Sequence, residues 1–276
     1  MTATSIVYVY GVLATGSDIA FNPPLGDLAG IAERGPLRVL PLGDIAALVC
    51  DLALPEGCDL ETIMEDSQAA QRLILDHHLV LTSVVDRHTI LPLRFGSVFT
   101  GDAGVIAALD ARASAFQQSL CRIEGALEWS VKAFCDRELL GQRLAGTVAA
   151  IRALESEIAD KGEGRAFFLR RRLERLTLDE VENMLNQCLA ETQERLKLHV
   201  LEGASIKLQP PAVHGPAHDM VANRSYLVAR CAEGAFLQAI DALRAAHAPF
   251  GLGYQTNGPW PAYSFSDQQF GGSANG

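Results

Sequence analysis

The residues of this chain that could carry chemistry fall in patterns that stop short of a site. His77 and His78 are adjacent, so on a helix they point about 100° apart and do not hold one ion together. His214 and His218 have HxxxH spacing, but Pro216 breaks the helix that would align them, and Gly215, not Glu, follows His214. A closed zinc site needs four ligands, and no cysteine lies near either pair in sequence. The six cysteines, at 50, 58, 121, 135, 188 and 231, make no C-x-x-C pair. They fit reduced, mostly buried thiols of a cytosolic protein. Cys50 and Cys135 each precede an aspartate, which raises a thiol pKa and leaves it inert. No metal and no cofactor are expected.

Nucleophile and phosphate motifs fail in the same way. Gly96-Ser97-Val98 lacks the closing glycine of a nucleophile elbow. Gly251-Leu252-Gly253-Tyr254, with Gly258 beyond, precedes no helix and carries no Lys-Ser/Thr, so it is not a phosphate loop. Arg170-Arg171-Arg172 has Glu174 four residues after Arg170, which predicts a solvated helix face with i,i+4 ion pairs. No catalytic residue is expected, and the chain does not read as an enzyme.

One charge remains to be placed. In Thr89 to Phe99, TILPLRFGSVF, Leu91, Leu93 and Phe95 alternate with Pro92, Arg94 and Gly96, so one face of an extended segment is apolar. Pro92 points to a sheet edge or a strand end. Arg94 sits among residues that must be buried, so it is expected to be mostly covered and paired with a carboxylate.

The elements that would position these residues read as two similar halves. Ser5 to Leu13 is apolar on both faces, with Ile6, Tyr8, Tyr10 and Val12 on one and Val7, Val9 and Leu13 on the other, which predicts a central strand. A short helix within 25–33, a hairpin of 37–42 and 45–50 about Gly43-Asp44, a helix over 60–85 and the 89–99 strand follow. That order is the βαββαβ of a ferredoxin-like unit. A trailing helix begins at Asp102. In the second half, 126–134 is a half-buried strand, with Trp129, Val131 and Ala133 inward. Helical stretches over 137–160 and 164–201 follow, with Lys161 to Gly164 as the hinge between them. Strands at 205–208 and 226–230, a helix over 232–247 and a last strand from Gly251 repeat the order. The fold class is therefore α+β, with two ferredoxin-like domains and an enlarged helical crossover in the second. The domains are 1–122 and 123–265, the latter with a helical insertion at 137–201, and 266–276 is a flexible tail.

Composition removes several function classes. The 276 residues supply two cores, with 49% hydrophobic residues. No window approaches the roughly 18 uninterrupted apolar residues of a membrane span. The N-terminal MTATSIVYVYGVL has no basic region and no cleavage site, so it reads as a strand and not a signal peptide. A net charge of −10 disfavours nucleic acid as a partner, and no aromatic-and-basic RNA-binding strand is present.

Seven stretches together resemble the gas vesicle F/L protein family. They are YVYGV (8–12), AALVCDL (46–52), HHLVL (77–81), TILPLRFGSVF (89–99), EWSVK (128–132), NRSYLVAR (223–230) and NGPWPAYSF (257–265). The last departs at Asn257 and Ala262 from the family's Thr-Gly-Pro-Trp-Pro-Pro-Tyr-like run. The resemblance implies a non-enzymatic accessory protein of gas vesicles, the gas-filled flotation organelles of some bacteria and archaea. It implies a role in assembly, at the vesicle and in the cytoplasm, with the small hydrophobic shell protein and other accessory proteins as partners, and no nucleic acid or membrane. The rival is a ligand-binding regulatory protein or enzyme on tandem ferredoxin-like units, a fold that hosts many functions.

Arg94, Phe95, Trp129, Trp260 and Tyr263 are the candidates for structural or partner contacts. The prolines of Gly258-Pro259-Trp260-Pro261 exclude helix, and three aromatics in 257–265 call for a surface to cover them. That segment is expected to dock back on the body of the protein, across the two halves.

Overall fold

A computed structural model describes residues 6–15, 30–31, 36–52, 67–210 and 219–266. The expected helix of 25–33, the start of the 60–85 helix, the His214/His218 pair and the tail beyond Ser266 lie wholly or mostly outside those residues. Contacts group the chain into two units, Met1–Glu128 with Pro259–Gly276 and Trp129–Gly258. The sequence placed the division at 122/123 and kept 123–265 together. By contacts, 123–128 and the segment from 259 on fall with the first unit.

The first unit is built on β1 (Ile6–Ala14), with β2 (Leu37–Leu42), β3 (Ile45–Leu52), α1 (Ser67–Val85), β4 (Ile90–Pro92), β5 (Val98–Thr100), α2 (Gly101–Asp110) and α3 (Ala113–Ile123). The sheet runs β2-β3-β1-β4, with β5 also on β1, and β1 is antiparallel to β3, β4 and β5, as β2 is to β3. β1 is buried on both faces from Val7 to Leu13, as a central strand of branched and aromatic residues should be. Its register against β3 slips between Val9 and Gly11. Such a bulge shifts the side-chain alternation. Ile6, Tyr8, Tyr10 and Leu13 therefore share one core with Leu48, Leu73, Leu81 and Ile90, and the expected grouping of Val12 with the tyrosines is corrected. Gly11 sits where β1 and β4 approach most closely: a Cβ there would lie 2.7 Å from the Leu91 carbonyl oxygen.

The 89–99 segment is not one strand. β4 pairs with Gly11 to Leu13 and β5 with Ile6 to Tyr8, and a turn separates them opposite Val9 and Tyr10. Leu93 N donates to Tyr10 O (2.9 Å) and Val9 N to Ser97 O (2.9 Å), so the ladder closes on either side. Within the turn, Ser97 Oγ donates to Arg94 O (2.8 Å) and Gly96 takes φ +87°, a region glycine enters freely. β4 ends at Pro92 on the sheet edge, where a missing N–H is tolerated. The helical pattern from Asp102 divides at Ala111 and Arg112 into α2 and α3.

The second unit holds most of β6 (Ala126–Cys135) and of β9 (Leu252–Trp260), with α4 (Arg137–Thr147), α5 (Ala149–Ala159), α6 (Glu163–Lys197), β7 (Glu202–Ser205), β8 (Asp219–Ala229) and α7 (Glu233–His247) between them. Its strand order is β7-β8-β6-β9. The expected 137–160 helix is two helices that break at the extended Val148, and α4 starts with Asp136 Oδ1 accepting from Leu139 N (2.9 Å). Trp129, Val131, Ala133, Tyr226, Phe236, Ile240 and Tyr254 fill the core between sheet and α7. Leu140, Leu144, Ile151, Val181, Leu185 and Cys188 fill the core of the helical crossover. Each such side chain contributes roughly 1.5–3 kcal/mol when fully buried. The expected 205–208 strand is displaced. Pairing with β8 starts at Glu202 opposite Leu227, where Gly203 lies against the Tyr226 ring, and Ile206 and Leu208 are exposed.

Candidate functional site

Four of the five candidate residues, Arg94, Phe95, Trp260 and Tyr263, gather around the two adjacent histidines of α1. His77 is buried and turns inward. Its Nδ1 lies 2.8 Å from the Tyr8 hydroxyl, and its ring stacks on Tyr10 (5.5 Å, 17°) and meets the edge of Phe95 (5.8 Å). Gly96 N donates to the same Tyr8 hydroxyl (3.3 Å), so the phenol joins the 94–97 turn to His77. Burial chiefly, and then the neighbouring His78, lower the His77 pKa to about 4. The Leu93 backbone opposes that shift, yet Nε2 makes no full hydrogen bond among the described residues.

His78, one helix position on, turns to the C-terminal segment. Its ring stacks on Tyr263 (5.9 Å, 26°) and tilts against Trp260 (4.9 Å), and Nδ1 lies 3.3 Å from the Tyr263 hydroxyl. Burial lowers its pKa as well. The divergence of the two rings follows from the helical spacing, and it serves two different surfaces rather than one ion.

Glu128 anchors the same segment. It is buried, with Oε2 accepting from Ser264 N (2.7 Å) and Oε1 from Ser264 Oγ (2.6 Å). Strand alternation had put Glu128 on the open face of β6. The signal that points to it is a lone carboxylate in the strand beside Trp129, whose burial requires donors. Pro261, Ala262 and Phe265 are buried, Trp260 and Tyr263 half-buried, so the segment packs on the first unit.

Arg94 is exposed at the turn, not covered as its apolar neighbours suggested. The turn lifts it out of the alternation that buries Leu93. With Ile74, His78, Pro92, Leu93, Phe95 and Tyr263 it lines a half-open cleft of about 260 Å³. Trp129 is not part of this assembly: it packs on Phe236 in the second unit (6.2 Å), with Nε1 unpaired among the described residues.

The three phenols of the first unit and the Cys50 thiol are held protonated. Burial raises the Tyr8, Tyr10, Tyr263 and Cys50 pKa values, aided at Tyr263 by the Glu128 charge. For Cys50, burial outweighs the Asp51 effect that the sequence suggested; Cys135, also chiefly by burial, is pushed up to about 11. Tyr10 instead receives Ile31 N (2.6 Å) and contacts Cys50 Sγ (3.4 Å). Among the described residues no three His, Cys, Asp or Glu side chains cluster as metal ligands, and no helix is long and apolar enough to cross a membrane. What the assembly offers is an apolar cleft with a guanidinium at its rim, closed on one side by a docked aromatic segment.

A second polar chain runs from the exposed Glu191 through buried His247 and Tyr254 to Thr192 and links α6, α7 and β9 through contacts of 3.1, 2.7 and 2.6 Å. Burial pushes Tyr254 up to about 12, and the bond to His247 holds Glu191 below the usual carboxylate range. Thr192 and Tyr254 alone lie 62 residues apart, so sequence pattern did not join these residues.

The model of the family described as "Gas vesicle synthesis protein GvpL/GvpF" matches residues 6–267. Gas vesicle protein F of Streptomyces sp. (strain CB03234) is 29% identical over 94% of this chain and 98% of its own length. Gas vesicle protein L of the same strain is 26% identical over 96% and 94%. The crystal structure of the gas vesicle protein GvpF from Anabaena sp. PCC7120 superposes with a TM-score of 0.72 at 16% identity, covering 96% of this chain and 99% of that one. That likeness is one of fold.

Proposed function

This chain belongs to the gas vesicle synthesis protein GvpL/GvpF family, and from that premise we propose that it acts in vesicle assembly by contacting the small hydrophobic shell protein. Family membership gives it a gas vesicle accessory role. The proposal adds a mechanism: the chain holds the shell protein in a form that assembles rather than aggregates, at the vesicle and alongside other accessory proteins. The whole-chain family match over 6–267 carries this reading. The cleft beside Arg94 supports it, because an apolar pocket of about 260 Å³ accepts one or two large aliphatic side chains while the guanidinium orients a nearby carbonyl or carboxylate.

Each unit is read as a ferredoxin-like βαββαβ domain. The supporting observation is that the two sheets have the same strand order relative to chain order, second-third-first-fourth. The buried groups described above supply no activated nucleophile, so the role proposed is binding and not catalysis.

The test is co-expression of the shell protein with this chain, followed by centrifugation. The chain should keep shell protein in the supernatant, and Ile74→Asp with Arg94→Glu, both exposed on the cleft, should abolish that while the isolated chain stays folded. Shell protein that pellets equally with and without this chain would end the proposal.

A further inference from the structure

The first half of α6 carries a surface that the vesicle reading does not use. Phe167, Phe168 and Leu178 are 53%, 74% and 64% exposed. On a helix they fall with Arg171, Arg172 and Arg175 on one face, which runs for about 16 Å and also carries Glu174 and, toward its far end, Asp179. Ala166, Leu169, Leu173 and Leu176 turn away from it, toward the side on which α4 and α5 pack. The i,i+4 ion pairs expected for this run do not form: among the described residues Arg165, Arg170, Arg172 and Arg175 take no carboxylate, and Arg171 lies over the Phe167 ring (5.4 Å). Five guanidiniums within 165–175, against the single carboxylate Glu174, stand on a chain of net charge −10. The local sign is thus opposite to that of the molecule, and the two exposed rings sit inside it.

We propose that this face of α6 docks an acidic amphipathic helix of a partner protein. The apolar stripe, Phe167, Phe168 and Leu178, anchors the partner's apolar side, and the arginines pair with carboxylates flanking it. A helix is the occupant that fits, because α4, α5 and α6 pack on one another and leave this stripe of α6 uncovered among the described residues. The net charge selects the partner: a basic or neutral helix gains nothing from the arginines, and an acidic one is steered to them. The inference does not depend on the role in vesicle assembly.

The test uses the purified chain and a synthetic helical peptide of Glu and Leu in heptad pattern, with a Lys/Leu peptide of the same pattern as control. The chain should bind the acidic peptide about tenfold or more tightly than the basic one, and the affinity should fall as salt is raised. Phe167→Ser with Phe168→Ser, and separately Arg171→Glu with Arg172→Glu and Arg175→Glu, should each weaken binding about tenfold while thermal melts stay unchanged. Equal affinity for both peptides, or no effect of either variant set, overturns the proposal. Self-association of the chain that the Arg→Glu set dissolves also overturns it, since the occupant is then a second copy. Single-stranded RNA that competes with the peptide and ignores the Phe variants overturns it in favour of a nucleic acid.

Discussion

Glu128 holds Ser264 through both carboxylate oxygens, at 2.7 Å to the backbone N and 2.6 Å to the hydroxyl, across 136 residues of sequence. A buried carboxylate with two matched donors acts as a clasp, and each donor satisfies a charge that would otherwise be costly.

Ser264→Ala and Glu128→Ala should each lower stability by roughly 1.5–3 kcal/mol, since each removes a hydrogen bond to a charged group. The double variant should cost no more than about the larger single change, because the two act on one interaction. Urea melts of the four proteins measure the coupling, and strictly additive effects would show that the clasp does not exist.

Acid should loosen the first unit through His77. Its folded pKa, about 4, lies below the ordinary value of 6.5, so between these the unfolded chain binds more protons. The contribution is fully present above pH 6.5 and is lost as pH falls toward 4, amounting to about 3 kcal/mol at most. His78 and His88 are lowered in the same direction. His77→Phe should flatten the stability profile between pH 5 and 7; a slope equal to wild type would mean that His77 is not the group responsible.

Two glycines should respond oppositely to a methyl group. Gly11→Ala places a Cβ against the Leu91 carbonyl in paired strands that have little room to move, which should cost roughly 1–3 kcal/mol. Gly146, inside α4 with open space around it, should gain roughly 0.5–1 kcal/mol as alanine. Thermal denaturation of both variants decides, and destabilisation of equal size at the two positions would contradict the close approach at Gly11.

Arg94→Met should change stability by less than about 0.5 kcal/mol, the range for exposed positions. If Arg94 orients the shell protein at the cleft, the same variant should fail in the co-expression assay. A variant that melts early yet keeps shell protein soluble would show Arg94 to be structural instead.

Much of this was readable from local pattern. β1, the β2–β3 hairpin, α1, the edge position of Pro92 and the divergence of His77 from His78 all follow from periodicity or backbone chemistry that acts within a few residues. What stayed hidden depended on partners far along the chain. The bulge at Tyr10 is set by β3, and it moved Leu13 to the tyrosine face. The turn at Arg94 exists because two short strands share β1, so an alternation that looked continuous was interrupted. β7 began earlier than its apolar residues suggested because β8 fixes the register. Glu128 and Ser264, like Tyr8 and His77, meet only once the fold is complete.

The first unit is discontinuous, since its closing segment from Pro259 onward is separated from Glu128 by the whole second unit. During synthesis the acceptor Glu128 therefore leaves the ribosome long before its donor Ser264. At roughly 5–20 residues per second the intervening unit takes on the order of 6–26 s to make. For that interval His78 lacks Trp260 and Tyr263, and the Glu128 carboxylate lacks Ser264. A nascent or prematurely ended chain therefore displays an unclosed first unit, and only a chain translated past Ser264 can seal it.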